Sequence, residues 1–238
     1  MKKRCIDDEL WIAIKNNLGS YVEEYVEMGA NIESRNEKLQ TPLIYACEIL
    51  DYDMAGYFLA HQANVNEKDM FGKTALMYVC FNIDNDIAYY LVDKGADINA
   101  RDKFGKTPLM YVCYGANEYN MEEAERLANY LISKGAGINI KDKEGRSLLD
   151  YAYSAGMVCL ITYILSYYDY CAKYNYKNNN YYDLYMKDRV KFYKQKTHKE
   201  LLKIIKERIE RVDGKKRRVY NIEREPTTKK QRIIEKEG

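Results

Sequence analysis

The sequence predicts an all-α solenoid of stacked helix pairs with short turn tips, on the strength of two phrases that recur in register. The first is Thr41-Pro42-Leu43-Ile44-Tyr45-Ala46-Cys47, which returns 33 residues later as Thr74-Ala75-Leu76-Met77-Tyr78-Val79-Cys80. It returns after another 33 as Thr107-Pro108-Leu109-Met110-Tyr111-Val112-Cys113, and in worn form 40 further on as Ser147-Leu148-Leu149-Asp150-Tyr151-Ala152. The second phrase keeps the same beat: Gly29-Ala30-Asn31-Ile32, Gln62-Ala63-Asn64-Val65-Asn66, Gly95-Ala96-Asp97-Ile98-Asn99 and Gly135-Ala136-Gly137-Ile138-Asn139. A fixed period of this length marks an array whose units bury their apolar faces only against one another.

Each part of the unit has a local reason. Thr41, Thr74 and Thr107 carry hydroxyls that can cap a helix, and Pro42 and Pro108 suit a first turn where no N–H partner is needed. Leu43, Ala46 and Cys47 then fall at i, i+3 and i+4, giving one apolar face. A second helix follows, as in Ile87-Ala88-Tyr89-Tyr90-Leu91-Val92, and Gly95 stops it by taking the left-handed conformation cheaply. Asp69-Met70-Phe71-Gly72 and Asp102-Lys103-Phe104-Gly105 read as turn tips.

This pattern resembles the ankyrin repeat over about residues 5–165, in units of roughly 5–35, 36–68, 69–101, 102–141 and 142–165. The resemblance implies a binding platform whose tips and inner helices form a concave surface for a protein partner. The first and last units read as caps: Leu10-Trp11-Ile12-Ala13 keeps the register without Thr-Pro, and the unit from Ser147 to Leu165 lacks a following Gly-Ala phrase. Three departures stand out. The histidine usual after Thr-Pro-Leu is replaced by Ile44, Met77 or Met110, so its turn-stabilising bonds are missing or replaced. Leu39 stands where a turn glycine is expected. Seven extra residues around Asn117–Glu123 lengthen the connection between two helices.

Beyond the repeats, residues 166–182 are rich in Tyr and Asn and read as a linker. Residues 183–213 read as a helical extension: Tyr182, Met186, Val190 and Tyr193 keep helical spacing, Thr197 with Glu200 forms a capping-box pattern, and Leu201, Ile205, Ile209 and Val212 make one apolar stripe before Gly214. Residues 214–238 read as a charged tail without a core.

Charge divides the chain the same way. Residues 1–165 carry 17 Lys and Arg against 25 Asp and Glu, a net of −8, whereas residues 166–238 carry 21 against 11, a net of +10. Asp7-Asp8-Glu9 interrupt any export signal after Met1-Lys2-Lys3-Arg4, and the longest apolar run, Met157 to Leu165, is about half a membrane span. Cys47, Cys80 and Cys113 occupy one repeat position, and stacked helices roughly 8–10 Å apart hold them beyond disulfide reach. With no Cys-x-x-Cys pair or Cys/His cluster, no metal site and no cofactor are expected. A reducing compartment, most simply cytoplasm, a monomer and no membrane association are the expectations.

Enzyme constellations are sparse. His61 and His198 stand apart from any nucleophile elbow, Walker loop or zinc-protease motif, and adjacent Glu122-Glu123 diverge on a helix. No catalytic residue is assigned. Candidate contacts for a protein partner are the tips: Asn36, Glu37 and Lys38; Asp69, Met70 and Phe71; Asp102, Lys103 and Phe104; Asp142, Lys143 and Glu144. Phe71 and Phe104, one unit apart, are either aromatic anchors for a partner or rings packed on neighbouring turns. The tip charges either steer encounter or are merely solvated. The insertion is a further contact or a tolerated loop. Lys215, Lys216, Arg217 and Arg218, followed by Lys229, Lys230 and Arg232, resemble a bipartite nuclear-import signal, offer phosphate contacts to nucleic acid, or fold back on the acidic body. A third reading puts enzymatic or regulatory chemistry in the C-terminal extension.

Overall fold

The caps explain where the helices begin. Thr41 and Thr107 accept hydrogen bonds from the N–H groups of Ile44 and Met110, both at 3.4 Å, and Ser147 closes a reciprocal capping box with Asp150. Thr74 departs from the expected pattern: its hydroxyl caps nothing, and the N–H of Met77 bonds instead to the Thr74 carbonyl at 3.1 Å. Two of the second helices start on aspartate caps, Asp51 accepting from Met54 at 3.0 Å and Asp84 from Ile87 at 3.1 Å.

The computed structural model describes residues 5–174, with side chains through residue 167, and all of them belong to one compact unit. Among these residues ten helices follow one another in pairs: α1 (Ile6–Lys15) with α2 (Gly19–Glu27), α3 (Pro42–Ile49) with α4 (Tyr52–Ala60), α5 (Ala75–Asn82) with α6 (Asn85–Asp93), α7 (Pro108–Gly115) with α8 (Met121–Ser133), and α9 (Leu148–Ala155) with α10 (Val158–Tyr174). No strand forms there; one isolated bridge joins Lys141 to Ser147. The first helices stack on one another, α3 on α5, α5 on α7 and α7 on α9, while the second helices form an outer layer.

The core is the seam between pairs. Leu43, Ala46 and Cys47 are fully buried, as are Leu76 and Cys80 one unit on. Cys47, Cys80 and Cys113 are free thiols, and burial pushes each well above the ordinary thiol range, so they behave as small apolar groups. Gly95 ends its helix at φ 89°, and Gln62 takes the same left-handed conformation at φ 63° in the one phrase that lacks glycine. Leu39 does likewise in its turn at φ 57°, so the missing glycine leaves the turn in place at the cost of local strain.

Two sequence expectations need correction. The seven extra residues of the fourth unit do not all lengthen the connection: α8 has 13 residues against 9 in α6, so more than half of the insertion extends the helix. The helix α10 also runs through Tyr174, well into the segment read as a linker, because Leu160, Ile161, Ile164, Leu165 and Tyr167 anchor it in the core at helical spacing. The rest of that segment, the helical extension at 183–213 and the tail at 214–238 lie outside the described residues.

The start of α10 is capped from another helix. Glu125 of α8 accepts from the N–H groups of Cys159 at 3.0 Å and Leu160 at 3.1 Å. Burial pushes this carboxyl up to about 7, against the opposing pull of those two N–H groups. The folded state therefore holds the proton more tightly than the unfolded chain, and stability falls as pH rises from the ordinary carboxylate value of 4.5 towards 7. In urea melts at pH 5 and pH 8, the wild type should lose about 1–3 kcal/mol more between the two conditions than Glu125→Gln does. Equal losses would mean that the start of α10 fully compensates the buried charge.

Candidate functional site

The turn between units is built by one inward-pointing side chain. Asp69 bends back so that one carboxylate oxygen accepts from the N–H groups of Phe71 and Lys73, both at 2.8 Å, while the other accepts from the Tyr78 hydroxyl at 2.7 Å. Asp102 repeats this with Phe104, Lys106 and the Tyr111 hydroxyl at 2.9, 2.7 and 2.7 Å. Asp142 repeats it with Glu144, Arg146 and the Tyr151 hydroxyl, and the Arg146 guanidinium adds a bond at 2.9 Å. Burial would raise the Asp142 carboxyl, but the Tyr151 and Arg146 bonds outweigh it and hold it below its usual range. Burial and the aspartate partner together push Tyr78, Tyr111 and Tyr151 far above the ordinary phenol range.

These aspartates therefore neither steer a partner nor face solvent, contrary to the expectation for tip residues: Asp69, Asp102 and Asp142 are buried. They also answer the missing histidine. The turn-closing bonds come from a tyrosine nine residues downstream, which approaches the carboxylate from the first helix. Asn36 plays the part in the second unit, its carbonyl oxygen accepting from Lys38 and Gln40 at 2.9 and 3.0 Å and its amide donating to the Gln40 side chain.

What these turns present outward is fixed by neighbour-to-neighbour bonds. The N–H of Met70 donates to the Lys38 carbonyl at 2.9 Å, that of Lys103 to Phe71 at 2.9 Å and that of Lys143 to Phe104 at 2.8 Å. A side-chain ladder runs alongside: Arg35 donates to the Lys68 carbonyl, Lys68 to Arg101 and Arg101 to Lys141. The tips are thus tied into a strip, and Phe71 and Phe104 project from it, 43% and 53% exposed. Met70, Lys103 and Lys143 are exposed beside them. Glu37 and Lys38 are exposed too but engage Lys15 at 3.3 Å and Glu48 at 3.7 Å, and Glu144 pairs with Arg146 at 3.1 Å.

Behind the tips lies a band that the sequence reading missed. Lys73 and Lys106 hold equivalent positions just after the turn glycine. The Lys73 ammonium lies 5.0 Å from the ring centres of both Tyr78 and Tyr111. The Lys106 ammonium lies 4.8 Å from Tyr114, 5.8 Å from Tyr111 and 5.9 Å from Tyr151. Phe81 and Tyr114, both exposed, continue the band along the ends of α5 and α7 with ring centres 5.8 Å apart. The only sequence signal was a lysine and a tyrosine recurring at fixed positions in successive units.

Other candidates are less engaged with this face. His61 lies at the end of α4, its ring centre 4.1 Å from that of Tyr57 and tilted 35° to it, with a ring nitrogen 2.9 Å from that residue's carbonyl oxygen, which accounts for it structurally. In the insertion Tyr119 is 89% exposed. The basic residues from Lys215 to Arg232 and His198 lie outside the described residues. Among the described residues no helix is long and apolar enough to cross a membrane, and no three His, Cys, Asp or Glu side chains converge as a metal ion would require.

No curated protein sequence matches the chain. The family model for ankyrin repeats (3 copies) matches residues 10–102 and again residues 84–178. With the matched span, the paired helices and the register of the turns in agreement, this chain belongs to the ankyrin repeat family, whose repeats are in general modules for protein–protein interaction.

Proposed function

We propose that this chain is a non-enzymatic platform that holds a protein partner on the concave surface made by its turn tips and first helices. The observation that carries this reading is the pair Phe71 and Phe104. They are exposed one unit apart on backbones that the cross-tip hydrogen bonds hold in place. A large ring left half in water has surface to bury, and a fixed backbone means that little ordering entropy is lost when a partner covers it. Met70 beside Phe71 extends the apolar contact, and Lys103 and Lys143 form a polar rim.

The test is affinity capture with the full chain, comparing wild type with the double variant Phe71→Ala/Phe104→Ala, followed by titration of whichever protein is captured. Exposed anchors of this kind contribute about 2 kcal/mol or more each, so the double variant should bind at least about a hundredfold more weakly while melting at the wild-type temperature. Equal affinity for the same partner would remove both rings, and this face with them, from the interface.

A further inference from the structure

Resting on that reading, we infer that the lysine–tyrosine band behind the tips is a track for an extended peptide segment of the partner, one that carries two carboxylates three residues apart with apolar or aromatic side chains around them.

Lys73 and Lys106 are half-buried, and neither has a carboxylate within ion-pair distance among the described residues; each has tyrosine rings for company. The nearest acids in sequence, Asp69 and Asp102, are turned inward with their oxygens already occupied by backbone N–H groups and tyrosine hydroxyls. The negative end of each turn therefore faces the core and the positive end faces out. A partly desolvated cation held over aromatic faces retains most of its capacity to bind an anion, and an arriving carboxylate strengthens in the low-dielectric setting that the rings create. Among the described residues no carboxylate fills that role for either lysine.

The setting selects the class of anion. The outer helices carry exposed carboxylates, among them Glu23, Glu24 and Glu27 on α2, Asp86 and Asp93 on α6 and Glu123 on α8. The tip side carries Lys73, Lys103, Lys106 and Lys143, and the acids exposed beside them, Glu37 and Glu144, already pair with Lys15 and Arg146. A body with a net of −8 over residues 1–165 repels a polyphosphate chain, whereas a peptide with two carboxylates meets the local cations with little long-range penalty. The exposed rings of Phe71, Phe104, Phe81 and Tyr114 flank the two lysines and call for apolar side chains on the ligand.

Spacing follows from geometry. Packed helices of successive units lie about 10 Å apart, and an extended chain advances about 3.3 Å per residue. One unit therefore corresponds to about three residues, which places carboxylates at i and i+3 against Lys73 and Lys106.

The experiment is fluorescence anisotropy with the full chain and labelled peptides of about twelve residues. One probe carries two glutamates three residues apart among phenylalanine, leucine and serine; a second has the same composition with the glutamates adjacent; a third replaces both with glutamine. A single-stranded oligothymidylate is the fourth probe. The spaced-glutamate peptide should bind at least tenfold more tightly than the other two peptides, and more weakly as salt rises. Lys73→Gln/Lys106→Gln should abolish that preference and Lys73→Arg/Lys106→Arg should retain it, both with the circular-dichroism melt of the wild type. The basic tail is present in every variant, so attraction of acids to the tail leaves the comparison unchanged. Equal binding of the three peptides, no effect of the glutamine variant, or lysine-dependent preference for the oligonucleotide would each overturn the inference. Loss of a partner in the Phe71→Ala/Phe104→Ala variant without any preference for spaced carboxylates would leave the platform standing and the acidic track refuted.

Discussion

Replacing Gly115 with alanine is expected to lower stability by about 3 kcal/mol, because overpacking against backbone has no rotamer escape. A Cβ at this position would lie 1.8 Å from the Phe81 carbonyl oxygen and 2.7 Å from its carbonyl carbon. The end of α7 therefore approaches the end of α5 more closely than any side chain permits, and the two helices must part to admit a methyl group. Gly56 supplies the control. It sits inside α4 with nothing within 4 Å of its added Cβ, so Gly56→Ala should stabilise by about 0.5–1 kcal/mol through helix propensity alone. Urea denaturation of the two variants should move the midpoint in opposite directions. A Gly115→Ala protein as stable as wild type would show that the close approach of α5 and α7 is readily relaxed.

The second large effect is expected at Asp102. Truncation to alanine strands the Tyr111 hydroxyl and the N–H groups of Phe104 and Lys106 in a turn whose centre is buried. The loss should be about 3 kcal/mol, since each unsatisfied buried donor costs about 1–3 kcal/mol and water reaches part of the turn. Asp102→Asn should cost markedly less, about 1 kcal/mol, because its remaining carbonyl oxygen serves both N–H groups, as Asn36 already does in the second unit. The measurement is again the denaturation midpoint, and the ranking alanine below asparagine below wild type is the outcome that matters. If the two variants are equally stable, the turn is held by its backbone bonds rather than by the carboxylate.

That residue also shows where the sequence was legible and where it was not. The Thr-Pro starts, the left-handed glycines and the cysteine seam act within a few residues or repeat at a fixed period, so their physics could be read directly. An aspartate in a turn between charged neighbours looks solvated, and only its partner nine residues away reveals that it is buried. The pairs Asp69–Tyr78, Asp102–Tyr111 and Asp142–Tyr151 were nonetheless visible as a constant spacing, and the substituted histidine was the prompt to look for them. Lys73 and Lys106 resembled any exposed lysine, because the rings beneath them come from two successive units. Glu125 gave no local sign, since the helix start that it caps lies more than thirty residues further along the chain. The extent of α10 was missed for a different reason: past Leu165 its buried positions pass to Ser166 and Tyr167, in a stretch whose tyrosines and asparagines offer no aliphatic pattern to follow.

The tyrosine–aspartate pairs make some of this protein's tyrosines chemically silent. Tyr78, Tyr111 and Tyr151 spend their hydroxyls inside the turns, so neither an alkaline solution nor a modifying enzyme gains those oxygens while the units remain closed. Tyr119, almost wholly exposed in the insertion, faces no such barrier. In a chain with 25 tyrosines, the turns therefore sort one residue type into a reserve released only by unfolding and a population open to chemistry in the native state.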